Sequence, residues 1–145
     1  MKKEFFIGAL ALGVALELSR YAFSSRTKDE IKKRARETHN GKLLSELSHT
    51  NGVPMECAHI DHSKSNPDYD TPQNGVYVTI YEHLQDHINR EGQNGLSVHA
   101  NKLAIEALQE RIQIWEETRS LDEYYRLTSG KTTLEKYEKR ICATA

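Results

Sequence analysis

The chain is poor in cysteine, proline and tryptophan: two Cys, three Pro and one Trp in 145 residues. Cys57 and Cys142 cannot supply a four-thiolate zinc site, and one distant pair makes no compact disulfide framework. A reducing compartment, the cytoplasm, is the simpler setting. Internal repeats and low-complexity tracts are missing too, so nothing points to a repeat array or a disordered tail. Neither sign of charge dominates: 20 Lys and Arg face 21 Asp and Glu, a net charge of −1. That balance excludes a uniformly basic coat for nucleic acid. The longest apolar run, Phe5 to Leu16, falls short of the roughly 20 residues that a membrane-crossing helix needs.

What is present reads as one globular domain, 37% apolar and 28% charged. A chain of this length buries about two thirds of the surface its unfolded form exposes, so it needs no disulfide or metal to fold. The near-zero net charge hides an uneven distribution. Residues 1–50 carry +4, residues 51–100 carry −5 and residues 101–145 carry 0. The acidic middle third also holds five of the seven histidines, a combination suited to a cation.

The pattern predicts an α+β, mostly helical fold. Phe5 to Leu16, behind Lys2 and Lys3, leaves three readings open: a helix packed in the protein or an oligomer, a membrane anchor reaching over residues 5–23, or a signal-peptide core. The last lacks a good cleavage site, since Ala22-Phe23-Ser24 is a poor match. Ser24, Ser25 and Thr27 can cap a helix over Lys28–Glu37, whose Lys32, Lys33, Arg34 and Arg36 form either a solvated face or a surface for phosphates. Asn40-Gly41 and Asn51-Gly52 mark turns. Residues 56–62 read as a strand, 63–73 as a loop with two prolines, and 76–78 as a second strand. A helix follows from about Thr79, then a long amphipathic helix capped by Ser97, and helices around 121–127 and 132–141.

His83 and His87 stand four apart on a helix, so both imidazoles face one point. A carboxylate from the neighbouring strand, Asp61, can add a third ligand and leave positions open for water and substrate. His62, beside it, points to the other side of the strand and is free to take a proton from water. His39, His49 and His99 read as surface residues.

Residues 57–87, CAHIDHSKSNPDYDTPQNGVYVTIYEHLQDH, resemble the ββα-metal motif of the HNH (His-Me finger) endonucleases. Asp61-His62 matches the first element, Asn74 the second, and His83, nine residues later, the third; His87 matches the additional histidine of colicin-type members. The resemblance implies that His62 is the general base, that Asp61, His83 and His87 hold one divalent ion (Mg, Mn or Zn), and that Asn74 braces the loop. It also implies hydrolysis of phosphodiester bonds in DNA, with RNA as a further possible substrate, by a small protein of the kind common in phages. The domain organisation that follows is an apolar helix over 1–27 and one nuclease domain over 28–145, with its core at about 56–90 and C-terminal helices over 97–142.

Two departures matter. Leu44 and Leu47 stand where many members place a Cys-x-x-Cys, so no second, structural zinc is expected. Ala58-His59-Ile60 also resembles the first element; His59 would then be the base, and Ala58 would leave the ligand position empty. The Asp61-His62 register fills both roles and is preferred, with His59 near the metal on the same strand face as Asp61. The rival reading is a metal-stabilised module that binds nucleic acid or protein without cleaving, free or tethered to a membrane.

Overall fold

The computed structural model describes residues 22–63, 65–91 and 98–129. Residues 1–21 with their apolar run, the Ser97 cap and the helix expected at 132–141 lie outside the described residues. Among the described residues, four helices and one two-stranded sheet make an α+β fold. They are α1 (Ser25–Thr38), β1 (Met55–His59), β2 (Gly75–Thr79), α2 (Ile80–Asn89), α3 (Val98–Thr118) and α4 (Leu121–Thr128), with a 3-10 turn at Pro72–Asn74 before β2. No helix among the described residues is long and apolar enough to cross a membrane.

Local chemistry accounts for most of the boundaries. The Ser24 hydroxyl accepts from Thr27 N and starts α1 three residues before the expected Lys28. Asn40 and Gly41, both with positive φ, end it, and Gly41 N closes on Arg36 O at 2.8 Å. Thr79 closes β2 and caps α2 at once, its hydroxyl taking Glu82 N while the Glu82 carboxylate takes Thr79 N. The sheet therefore runs straight into the helix, which puts His83 one turn and His87 two turns beyond the strand end. Ser120 caps α4 through its hydroxyl alone, which takes Glu123 N.

The strands pair antiparallel, Met55 opposite Thr79 and His59 opposite Gly75. Helix α1 packs on β2 and the 3-10 turn through Ile31 and Ala35, joined by Phe23 and Tyr77 in one apolar cluster. A second cluster, Ile80, Leu108, Ile114, Trp115 and Tyr124, holds α2, α3 and α4 together. Burying each of its aliphatic side chains contributes about 1.5–3 kcal/mol. Helix α2 packs against both strands and against α3, and α3 against α4.

The strand expected over 56–62 stops at His59. Ile60 N still bonds to Asn74 O, but Asp61 N turns to the Asn74 side chain instead of to a strand partner. Alternation of faces ends there. His59 and His62 are both buried, 7% and 5% exposed, while Ile60 and Asp61 between them are exposed; His59 and Asp61 do not share a face.

Candidate functional site

Four histidines line one cavity of about 300 Å³ between β1, α1, α2 and α3: His59, His62, His83 and His87. Lys28 and Lys32, one turn apart on α1, line it as well. His62 meets His87 edge-on with ring centroids 5.1 Å apart, and His83 and His87 are 4.9 Å apart.

Each ring of the α2 pair is held from behind by a different element. His83 Nδ1 lies 2.8 Å from Glu56 Oε1 of β1. Burial pushes the Glu56 carboxyl upward, but the Arg111 charge and the His83 hydrogen bond outweigh it and hold it at about 2. An ionised carboxylate only accepts, so the proton of His83 is on Nδ1. His87 Nδ1 lies 2.9 Å from Asn101 Oδ1 of α3, whose Nδ2 donates to His87 O and thereby fixes which way the amide faces. The proton of His87 is on Nδ1 too. With each ring neutral, both Nε2 atoms are bare lone pairs, and they face one another at 3.2 Å.

Two acceptors at that distance need a positive charge between them. A shared proton is one candidate, although burial and the charge of His83 push His87 down to about 4 and so disfavour a proton on that ring. A cation is the other. Two imidazole nitrogens that each bind one ion at about 2.0–2.1 Å stand roughly 3 Å apart, and metal-binding histidines characteristically give their other N–H to a carboxylate or carbonyl. The pair fits a divalent metal on both counts. Among the described residues there is no group of three or more His, Cys, Asp or Glu arranged to hold one.

Of the expected ligands, the structure brings His83 and His87 together and leaves Asp61 apart. The Asp61 carboxylate accepts from Ser63 N and Asn66 Nδ2 within its own loop and is exposed. Asn74 is buried, its Oδ1 taking Asp61 N and its Nδ2 donating to the carbonyls of Asp61 and Tyr69, so one amide ties both ends of the 60–73 loop. His62 Nε2 is 3.4 Å from Asp86 Oδ2, too far for a well-formed hydrogen bond, and is buried with no hydrogen-bond partner among the described residues. His59 stacks between Phe23, 3.6 Å away, and Tyr69, 4.1 Å away, and burial and the charge of His62 push it down to about 3. Its Nε2 is buried with no hydrogen-bond partner among the described residues.

The expected basic face divides. Arg34 is a structural clamp: its guanidinium takes both Glu46 oxygens, at 2.8 and 2.9 Å, and the carbonyls of Pro72 and Gly75. Lys33 and Arg36 are exposed, with Lys33 4.0 Å from Glu37. Lys32 reaches the cavity, together with Lys28, which the run of charge did not single out. His39 and His49, expected as separate surface residues, pair with each other at 2.7 Å.

Glu56, Asp86 and Arg111 escaped the sequence reading, and Asn101, which reads there as a loop brace or a helix cap, instead holds His87. Glu56 carries a signal, since a carboxylate between Met55 and Cys57 in a strand is costly unless something partners it. Asp86 carries a weaker one in its spacing to Arg90, with which it pairs. Asn101 and Arg111 carry none, because their partners lie 14 and 55 residues away. No family model, curated protein or solved structure matches this chain.

Proposed function

We propose that the chain is a metal-dependent nuclease of the HNH type that hydrolyses phosphodiester bonds in DNA. The observation that carries this reading is the convergence of two bare imidazole nitrogens, His83 Nε2 and His87 Nε2, in a cavity also lined by His59, His62 and two lysines. The order strand, loop, strand, helix and the loop-bracing Asn74 support the same family. His83 and His87 would hold one ion, and their imidazole donors suit Zn or Mn better than Mg. When bound, such an ion polarises the phosphoryl oxygen and stabilises charge on the departing oxygen.

The chain's own residues divide the remaining work. His62 accepts the proton of the attacking water, and Asp86 beside it stabilises the imidazolium that results. His59, clamped between two aromatic rings, is held in one orientation against the substrate. Lys28 and Lys32 hold backbone phosphates at the cavity. Asn74 keeps the loop that carries His62 against β2.

Nicking of supercoiled plasmid with Mg, Mn, Zn or EDTA tests the proposal. Wild type is expected to nick with at least one ion and not with EDTA; His62→Ala is expected to lose about 10²–10⁴-fold in rate while still binding metal. Loss confined to His59→Ala would move the base to His59. Metal binding without cleavage of DNA or RNA would assign the chain instead as a metal-stabilised binding module.

A further inference from the structure

Glu56 joins β1, α2 and α3 through a single side chain. Its Oε1 takes His83 Nδ1 at 2.8 Å and its Oε2 takes Arg111 Nη1, and the carboxylate is only 16% exposed. We infer that Glu56 is a positioning residue for the histidine pair: it confines the His83 proton to Nδ1, keeps His83 Nε2 a free lone pair facing His87, and so sets the metal affinity of the site. The inference rests on the reading of His83 and His87 as metal-holding residues.

The alternative arrangement is close at hand. With no acceptor behind it, the His83 proton moves to Nε2, where His87 Nε2, 3.2 Å away, accepts it. The pair then satisfies itself by a hydrogen bond and no longer offers two lone pairs. Asn101 keeps the His87 proton on Nδ1 in either case, so the tautomer of His83 alone decides. Arg111 supports the metal-competent form because it has donors only and compensates the charge of the carboxylate. In Glu56→Gln the guanidinium takes the amide carbonyl and leaves the NH₂ facing His83 Nδ1, which reverses the tautomer.

The test is done on the full chain with two readouts, Co²⁺ titration by absorbance and, without metal, the imidazole ¹⁵N spectrum that reports which ring nitrogen is protonated. Wild type is expected to show His83 protonated on Nδ1 and to bind Co²⁺. Glu56→Gln is expected to show His83 protonated on Nε2 and to bind Co²⁺ about 10–100-fold more weakly. Should that variant misfold, Glu56→Leu/Arg111→Leu removes acceptor and charge together, which is close to neutral for folding, and the same two changes are expected. A folded variant with wild-type tautomer and wild-type Co²⁺ affinity overturns the inference and leaves the metal reading standing. A wild-type chain that binds no Co²⁺ overturns both.

Discussion

His83 Nε2 and His87 Nε2 face one another at 3.2 Å, each ring pinned from behind by an acceptor on a different element. A ligand that binds the folded state alone adds RT ln(1 + [L]/Kd) to stability, about 2.7 kcal/mol at a hundredfold excess over Kd. Thermal unfolding with Zn²⁺ or Mn²⁺ is therefore expected to rise by several degrees. The rise should vanish in His83→Ala and His87→Ala, and an equal rise in those variants would place the ion elsewhere.

Acid should unfold the metal-free protein earlier than its carboxylates alone would. His59 is pushed down to about 3 and His87 to about 4, against about 6.5 in an unfolded chain. Below pH 6.5 the unfolded state binds protons that the folded state refuses, so stability falls with pH. The fall from these two groups runs from about 6.5 to about 4 for His87 and about 3 for His59. Glu56, held at about 2, adds a loss below about pH 4.5. Urea midpoints at pH 7.5, 6.5, 5.5 and 4.5 check this, and His59→Asn should flatten the curve by about one proton.

Arg34 and Glu46 join α1 to the loop before β1, and Glu46 also takes Tyr77 N from β2. Arg34→Met is expected to cost roughly 2 kcal/mol, because charge-assisted hydrogen bonds are lost and carbonyls are left without their donor. Arg34→Lys should cost nearly as much, since an ammonium cannot fork to both oxygens of one carboxylate and reach two carbonyls. Lys33→Ala, on the exposed side, should stay within about 0.5 kcal/mol. Chemical denaturation separates the three.

Gly75 is required by space, not by backbone angle. A Cβ there would run into Ile31 Cδ1 and stand 3.0 Å from Phe23 Cζ. Gly75→Ala is expected to cost about 1–3 kcal/mol by overpacking. Ile31→Val in the same chain removes the clashing methyl, so the double variant should be more stable than the sum of the single losses. Simple additivity in the denaturation data would show that the two positions do not meet.

Salt dependence should sort the basic residues. If DNA phosphates sit at the cavity, Lys28→Ala and Lys32→Ala each lower the slope of log affinity against log salt by about 0.9, whatever the DNA sequence. Lys33→Ala should change it less. Fluorescence anisotropy on a duplex fragment between low and moderate salt provides the slopes; equal effects at Lys28, Lys32 and Lys33 would return the surface to the whole charged helix face.

The local elements were legible because their signals are local. Ser24, Thr79 with Glu82, and Ser120 cap helices by bonding within three residues of themselves, and four-residue spacing alone brings His83 and His87 onto one face of α2. The sequence by itself therefore determined the α+β character and the helical pair. Only the tertiary structure decided where β1 stops, how each histidine of the pair is held, and which cations line the cavity. Asn74 captures Asp61 across 13 residues, Arg34 captures Glu46 across 12 and two further carbonyls, and Arg111 reaches Glu56 across 55. Such bonds depend on where whole elements pack, a property of the folded core that no spacing along the chain encodes.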